Sequence, residues 1–146
     1  MWTKHISKLM DYVPGFVGVY ACDKMPDFKS NISMIINTDK SSEPGDHWVA
    51  VYIGRNTIYF FDSLGRDIDG FPDPFRTYIQ NMSRDFKVKV ESRLLQSFLS
   101  STCGYWCVYY IFCKTCRIER FYKYFSGDLY LNEKILEYFF EYFDSL

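Results

Sequence analysis

Long apolar runs, a strong net charge and a signal peptide are all missing from this sequence of 146 residues. No apolar run approaches the roughly 20 residues that a membrane-spanning helix needs. The net charge of −1 creates no general attraction to nucleic acid or to a membrane surface. The first residues lack the apolar stretch of a signal peptide. We therefore expect an intracellular protein that does not associate with membranes.

The sequence has few histidines, and its cysteines do not fit the pattern of a disulfide-bonded protein. The chain has two histidines and five cysteines, and four of these cysteines lie within residues 103–116. A secreted disulfide scaffold would spread an even number of cysteines along the chain, so reduced thiols are expected. Cys113 and Cys116 have the spacing of a zinc or redox pair, but the second pair that a structural zinc site needs is missing. No metal site is predicted.

Apolar and aromatic residues are abundant, at 48% and 21% of the sequence. A chain of this length and composition can bury one hydrophobic core, which argues against disorder and predicts a single domain over residues 1–146. Clustered aromatic residues can also stack on nucleic-acid bases. Here five of them lie within one apolar segment, residues 105–112, so packing in the core is their expected role.

Apolar periodicity and turn residues predict an α+β fold. The predicted strands are residues 16–21, 32–36, 47–53, 57–61 and 86–90. The predicted helices are a short N-terminal one ending within residues 10–13, then residues 75–84, 103–116 and 132–143. Asn132 is predicted to be the N-cap of the last helix. We expect a mostly antiparallel central sheet flanked by helices.

His47 begins one predicted strand and Asp62 follows the next. The midpoint between them lies in the Gly54-Arg55 turn, so a hairpin folded there places the two side chains side by side or one residue out of register. A carboxylate in that position would fix the tautomer of the imidazole and stabilise the imidazolium. The alternatives are an ordinary surface or core histidine and an aspartate that simply ends its strand.

Cys103 follows the small hydroxyl residues Ser100-Ser101-Thr102 and precedes Gly104. The hydroxyl residues are good N-caps, and the apolar run after Gly104 suits a buried helix, so Cys103 is predicted in the first helical turn. The helix dipole and the free N–H groups of that turn favour a thiolate. Gly104 would let a substrate backbone approach. The alternative is a buried structural thiol, which is the expected state of the other three cysteines in this helix.

Gln96 lies seven residues before Cys103. An amide N–H of Gln96 and the backbone N–H of Cys103 would together form a two-donor site for a developing oxyanion. The alternative is a solvated glutamine without a special role.

The sequence resembles the adenovirus-type cysteine proteases and their relatives, the SUMO-specific proteases, in the order of its motifs. These motifs are His47-Trp48, Asp62-Ser63, Gln96 and Cys103-Gly104. The resemblance extends over residues 16–112. It implies a papain-like, adenain-like fold with the nucleophile at the N-terminus of a buried helix. It also implies that Cys103 is the nucleophile, His47 the general base, Asp62 the residue that orients His47, and Gln96 part of the oxyanion hole. Trp48 and Gly104 would contact the substrate.

The function implied by this resemblance is a thiol endopeptidase that cleaves after small residues such as Gly and matures structural proteins of a virus or virus-like transposon. A viral enzyme of this kind would act in the host nucleus or cytoplasm and in the virion. The adenovirus enzymes use a disulfide-linked activating peptide, but the corresponding residues 85–95 contain no cysteine, which argues against that covalent link. They also use DNA as a cofactor, an idea that the balanced charge does not support. An activating peptide or partner bound in another way stays open.

Two other functions stay open. One is a peptidase for ubiquitin-like modifiers, and the other is a non-catalytic interaction module that keeps the fold. A degenerate copy would typically lack at least one of Cys103, His47 and Gln96, and all three are present. The sequence therefore favours an enzyme.

Overall fold

The computed structural model describes residues 3–27, 29–43, 47–91, 93–117 and 121–144. The elements are α1 (Thr3–Met10), β1 (Phe16–Ala21), β2 (Ile32–Asn37), β3 (Trp48–Ile53), β4 (Thr57–Phe61), α2 (Asp73–Met82), β5 (Lys87–Glu91), α3 (Cys103–Thr115) and α4 (Leu129–Asp144). Short 3-10 helices occupy Ile68–Gly70 and Phe121–Tyr124. None of the helices in the described ranges is long and apolar enough to cross a membrane.

The five strands form one mixed sheet in the order β1-β2-β3-β4-β5. The pairs β2–β3 and β3–β4 are antiparallel, whereas β1–β2 and β4–β5 are parallel. The α+β class is as predicted, but the mostly antiparallel sheet is not confirmed. The difference at β5 follows from its connection, because the chain returns from β4 through α2, and a crossover helix joins parallel strands.

Helices cover both faces of the sheet. On one face, Ala50 and Phe61 pack against Trp106 of α3 in a core that α1 and α4 also join. On the other face, Phe60 packs against Phe75 of α2. Neighbouring strand residues point to opposite faces, so an apolar run such as that of β3 supplies both cores. Helix α3 is buried along most of its length, and its N-terminus is therefore held in a fixed position.

Helix α4 begins three residues earlier than predicted, and Asn132 is not its N-cap. Asp128 precedes the helix, and its Oδ1 accepts a hydrogen bond from the backbone N–H of Leu131 at 3.0 Å. Asn132 is fully buried, and its Nδ2 donates to the carbonyl oxygens of Leu95 at 3.3 Å and Ser126 at 2.8 Å. The prediction of an Asn132 cap is wrong because the amide makes these long-range contacts instead.

Candidate active site

The residues of the predicted site meet at one edge of the sheet. Strand β3 begins at this edge and its antiparallel neighbour β4 ends there, as does β5, which is parallel to β4. His47 directly precedes β3, Asp62 directly follows β4, and Gln96 follows β5. The topology therefore brings together side chains that lie far apart in the sequence.

His47 and Asp62 form a buried hydrogen-bonded pair. His47 Nε2 lies 2.6 Å from Asp62 Oδ1, and His47 is only 6% exposed. The prediction that His47 and Asp62 are paired or one residue out of register is wrong. Ala50 pairs with Phe61, and this register places Asp62 opposite Val49, two residues from His47. The pair still forms, since both side chains lie just outside the strands and can turn toward each other.

Both carboxylate oxygens of Asp62 accept several hydrogen bonds. Oδ1 also accepts the backbone N–H of Leu64 at 3.1 Å, and Oδ2 accepts the backbone N–H of Arg66 at 3.2 Å and its Nε–H at 3.1 Å. Burial raises the pKa of Asp62, but the hydrogen bond and charge of His47, the N–H of Leu64 and the charge of Arg66 outweigh burial, so the net pKa is lowered. The group is a carboxylate at neutral pH and can stabilise an imidazolium.

The Cys103 side chain also interacts with the His47 imidazole and helps to raise its pKa. Since Nε2 is engaged with Asp62, the nitrogen left for this contact is Nδ1. Burial lowers the pKa of His47, but the hydrogen bonds with Asp62 and Cys103 and the charges of both groups outweigh it and raise the pKa to about 9. The imidazole is therefore protonated at neutral pH, the state that pairs with a thiolate.

Cys103 is the first residue of α3, as predicted, and is 5% exposed. The N–H of Trp106 donates to the carbonyl oxygen of Thr102 at 3.1 Å and closes the first helical turn. The predicted hydroxyl cap is absent at Thr102, which occupies the N-cap position without a side-chain cap hydrogen bond. Its hydroxyl donates to Glu133 of α4 instead.

Gln96 is 3% exposed, and the structure defines the orientation of its amide. The Ser63 hydroxyl donates to Gln96 Oε1 at 2.5 Å, and Gln96 Nε2 donates to the carbonyl oxygen of Ser100 at 3.1 Å. Because a carbonyl oxygen only accepts, the amide nitrogen must face Ser100 and the amide oxygen must face Ser63. The Ser63 carbonyl oxygen also accepts the Gln96 backbone N–H at 3.0 Å, which fixes Gln96 beside the Asp62 turn.

The two predicted substrate contacts lie next to the central residues. Trp48 is the first residue of β3, opposite Asn37 of β2, and packs half-buried against the core around α3. Gly104 is buried in the first turn of α3, directly after Cys103. A role in substrate binding stays a prediction for both.

Three polar residues near the site were not predicted from the sequence. Arg66 has a weak sequence signal, since it follows Asp62 by four residues and carries the opposite charge. Ser63 lies inside a motif of the resemblance, but its bond to Gln96 joins residues far apart in the chain. Glu133, which accepts the hydroxyls of Ser100 and Thr102, has no local signal at all.

The remaining cysteines are free thiols. Burial raises the pKa of Cys107 and of Cys22, and burial raises the pKa of Cys113 to about 12. Cys116 is exposed. Within the described ranges, no group of three or more His, Cys, Asp or Glu residues is placed to hold a metal ion.

Comparison with known proteins gives three viral relatives, although no protein-family model matches the chain. The protease of bovine adenovirus 4 is 28% identical in an alignment of 147 positions, gaps included, which covers 89% of this chain and 67% of that protein. The protease of bovine adenovirus 7 is 29% identical, covering 77% of this chain and 59% of that protein. The protease of ovine adenovirus D serotype 7 is 26% identical, with 68% and 56% covered.

The chain is thus similar to three adenovirus proteases over most of its length. The resemblance inferred from the motifs is therefore confirmed, at modest identity. The aligned part of this chain spans 56 to 67% of the length of these relatives.

Proposed function

We propose that this chain is a cysteine endopeptidase of the adenovirus-protease type. The observation that carries the proposal is the buried hydrogen bond between Asp62 and His47, together with Cys103, which interacts with the same imidazole from the first turn of α3. A carboxylate that orients an imidazole beside a thiol is the arrangement that activates a sulfur nucleophile. The names of the three relatives support the same activity.

The proposed mechanism begins with protonated His47 paired to the Cys103 thiolate. The sulfur attacks the carbonyl carbon of a peptide bond, and the C=O electrons move to the oxygen. The second N–H of the Gln96 amide and the backbone N–H of Cys103 donate to this oxyanion. When the tetrahedral intermediate collapses, the C–N bond breaks and His47 gives its proton to the leaving amine. Water then attacks the thioester carbon while His47 takes a proton from that water. The C–S bond breaks, the carboxylic acid product leaves, and the thiolate paired with protonated His47 is restored.

For the substrates, we propose viral or virus-like structural proteins cut after small residues such as Gly, as the resemblance implies. Trp48 beside His47 and Gly104 beside Cys103 would contact the substrate backbone. A protein partner would bind without a disulfide in residues 85–95, where no cysteine is present. A DNA cofactor has no support from the net charge of −1.

A peptidase for ubiquitin-like modifiers is the second candidate. One observation favours it: the acid that bonds His47 is Asp62, whereas the adenovirus enzymes resembled by the sequence have Glu and the SUMO-specific branch has Asp. The hydrogen-bond geometry serves either substrate class equally, so the substrates themselves must separate the two.

The deciding experiment offers the chain both kinds of substrate. We expect hydrolysis of short peptides after a Gly-Gly pair, no processing of a ubiquitin-like modifier precursor, and labelling of Cys103 alone by a peptide-directed thiol probe. The Cys116→Ala variant is the matched control, because Cys116 is exposed and should contribute nothing. Processing of the precursor alone would favour the second candidate. Absence of both cleavage and labelling would leave a non-catalytic interaction module.

The alkaline limit of activity is a second test of the mechanism. We expect the rate of peptide hydrolysis to fall as the pH rises through about 9, because the pKa of His47 is raised to about 9 and its proton must reach the leaving amine. Below that pH the imidazolium is present, and above it the proton is lost. The measurement is kcat/KM against pH, with unfolding monitored in parallel.

An ester with a good leaving group provides the control for this profile. Its leaving group needs no proton, so its hydrolysis should decline less than that of the peptide above pH 9. Equal profiles for ester and peptide would contradict the assignment of His47 as the proton donor.

A further inference from the structure

The segment of residues 97–102 joins the two proposed oxyanion donors, Gln96 and Cys103, and apolar packing does not hold it in place. Its two large apolar side chains face solvent, since Phe98 is 70% exposed and Leu99 is 99% exposed. A loop without buried apolar contacts has little local stability of its own. The position of this segment must therefore depend on polar contacts.

Contacts from three residues of this segment converge on one carboxylate, that of Glu133 in α4, in addition to the hydrogen bond from Gln96 Nε2 to the Ser100 carbonyl oxygen. Glu133 Oε1 accepts the backbone N–H of Ser97 at 3.1 Å and the hydroxyl of Ser100 at 2.8 Å. The Thr102 hydroxyl reaches both carboxylate oxygens, Oε1 at 3.0 Å and Oε2 at 2.8 Å. Hydrogen bonds to an ionised acceptor are shorter and stronger than neutral ones. One side chain thus holds the beginning, the middle and the end of the segment.

Helix α4 is a rigid support for this carboxylate. Leu136 and Phe140 anchor the helix in the core around α3. The neighbouring Asn132 donates to the carbonyl oxygen of Leu95, the residue before Gln96. Consecutive residues of α4 therefore hold the chain directly before and directly after Gln96.

We propose that Glu133 is a positioning residue for the oxyanion hole. Its carboxylate sets the distance and orientation between the Gln96 amide and the backbone N–H of Cys103 without touching the substrate. Oxyanion stabilisation depends on donors that are already placed before the reaction, and the contacts of Glu133 meet that need. The inference rests on the proposed peptidase function, since it assigns a role within that reaction.

The test compares two reactions of the same thiol. Alkylation of Cys103 by a haloacetamide forms no oxyanion, so its rate reports the reactivity of the sulfur alone, whereas peptide hydrolysis also needs the oxyanion donors. For Glu133→Ala we expect kcat for the peptide to fall about tenfold or more, as for a weakened oxyanion site. The alkylation rate should change by less than about threefold, because the sulfur and imidazole are untouched.

Two further variants make the result decisive. Glu137→Ala removes an exposed glutamate of the same helix and should change neither rate. Glu133→Gln keeps one acceptor oxygen and nearly the same shape, so it should fold like the wild type and lose less activity than Glu133→Ala.

Unchanged hydrolysis in Glu133→Ala, or an equal loss of hydrolysis and alkylation in a folded variant, would overturn the positioning role. In either case an active wild type would leave the proposed function standing. A wild type that hydrolyses no peptide would instead overturn the proposed function, and this inference with it.

Discussion

Replacement of Cys103 by Ala is expected to abolish peptide hydrolysis and to leave the fold intact. The sulfur is the proposed nucleophile, and its loss removes the thiol that interacts with His47 and would form the thioester. The fold should persist because the change removes only the sulfur atom of the first residue of α3. The measurements are hydrolysis at high enzyme concentration and the melting temperature, with Cys116→Ala as the exposed-thiol control.

The neighbouring Cys107 cannot take over this role. It lies one helical turn further along α3, fully buried, and burial together with the charges of Cys103 and Asp62 raises its pKa well above the ordinary thiol value. Cys113, the other thiol of α3, is buried as well, and burial raises its pKa to about 12, so neither thiol would explain residual activity in Cys103→Ala. Full activity in that variant would remove the assignment of the nucleophile.

Replacement of Gln96 by Ala should lower kcat by roughly 100-fold or more, the usual effect of losing one oxyanion donor. The buried amide of Gln96 is fixed by hydrogen bonds with Ser63 and Ser100. It therefore contributes a donor that needs no rearrangement during the reaction. The loss should appear mainly in kcat, because the oxyanion forms only after the substrate is bound.

The control for Gln96 is Gln80→Ala, which removes an exposed glutamine of α2 far from the site. Because Gln96→Ala also leaves the buried Ser63 hydroxyl without its acceptor, we expect a stability loss of about 1 kcal/mol. Melting curves separate this loss from the change in rate. A kcat equal to that of the wild type would mean that another group fills the oxyanion hole.

Local sequence patterns predicted the strands well. All five strands lie within one residue of their predicted ends, because runs of apolar and β-branched residues bounded by turns are a local signal. The parallel pairing of β1 with β2 was not predictable in the same way, since the choice of a partner depends on how the whole chain packs. The helix boundaries were less accurate, and α4 shows the reason: the buried amide of Asn132 is used in a tertiary contact that overrides its capping preference.

The same difference between local and long-range signals applies to the residues of the candidate site. His47 and Asp62 could be placed together because the hairpin is visible in the sequence, whereas Cys103 was joined to them by the resemblance to the adenovirus-type proteases. The contacts of Ser63 and Glu133 could not, because each joins residues more than 30 positions apart with no periodic pattern between them. The sequence thus predicts the proposed reacting groups, whereas only the structure reveals what holds them in place.

The order of the elements along the chain also bears on when activity can begin during biosynthesis. The ribosome delivers His47, Asp62, Gln96 and Cys103 before Glu133, which lies 30 or more residues later. A nascent polypeptide that already contains the thiol still lacks the carboxylate that holds residues 97–102. If Glu133 acts as proposed, such a polypeptide would cleave about tenfold or more slowly until α4 has emerged and docked, so full activity would follow only after translation of α4.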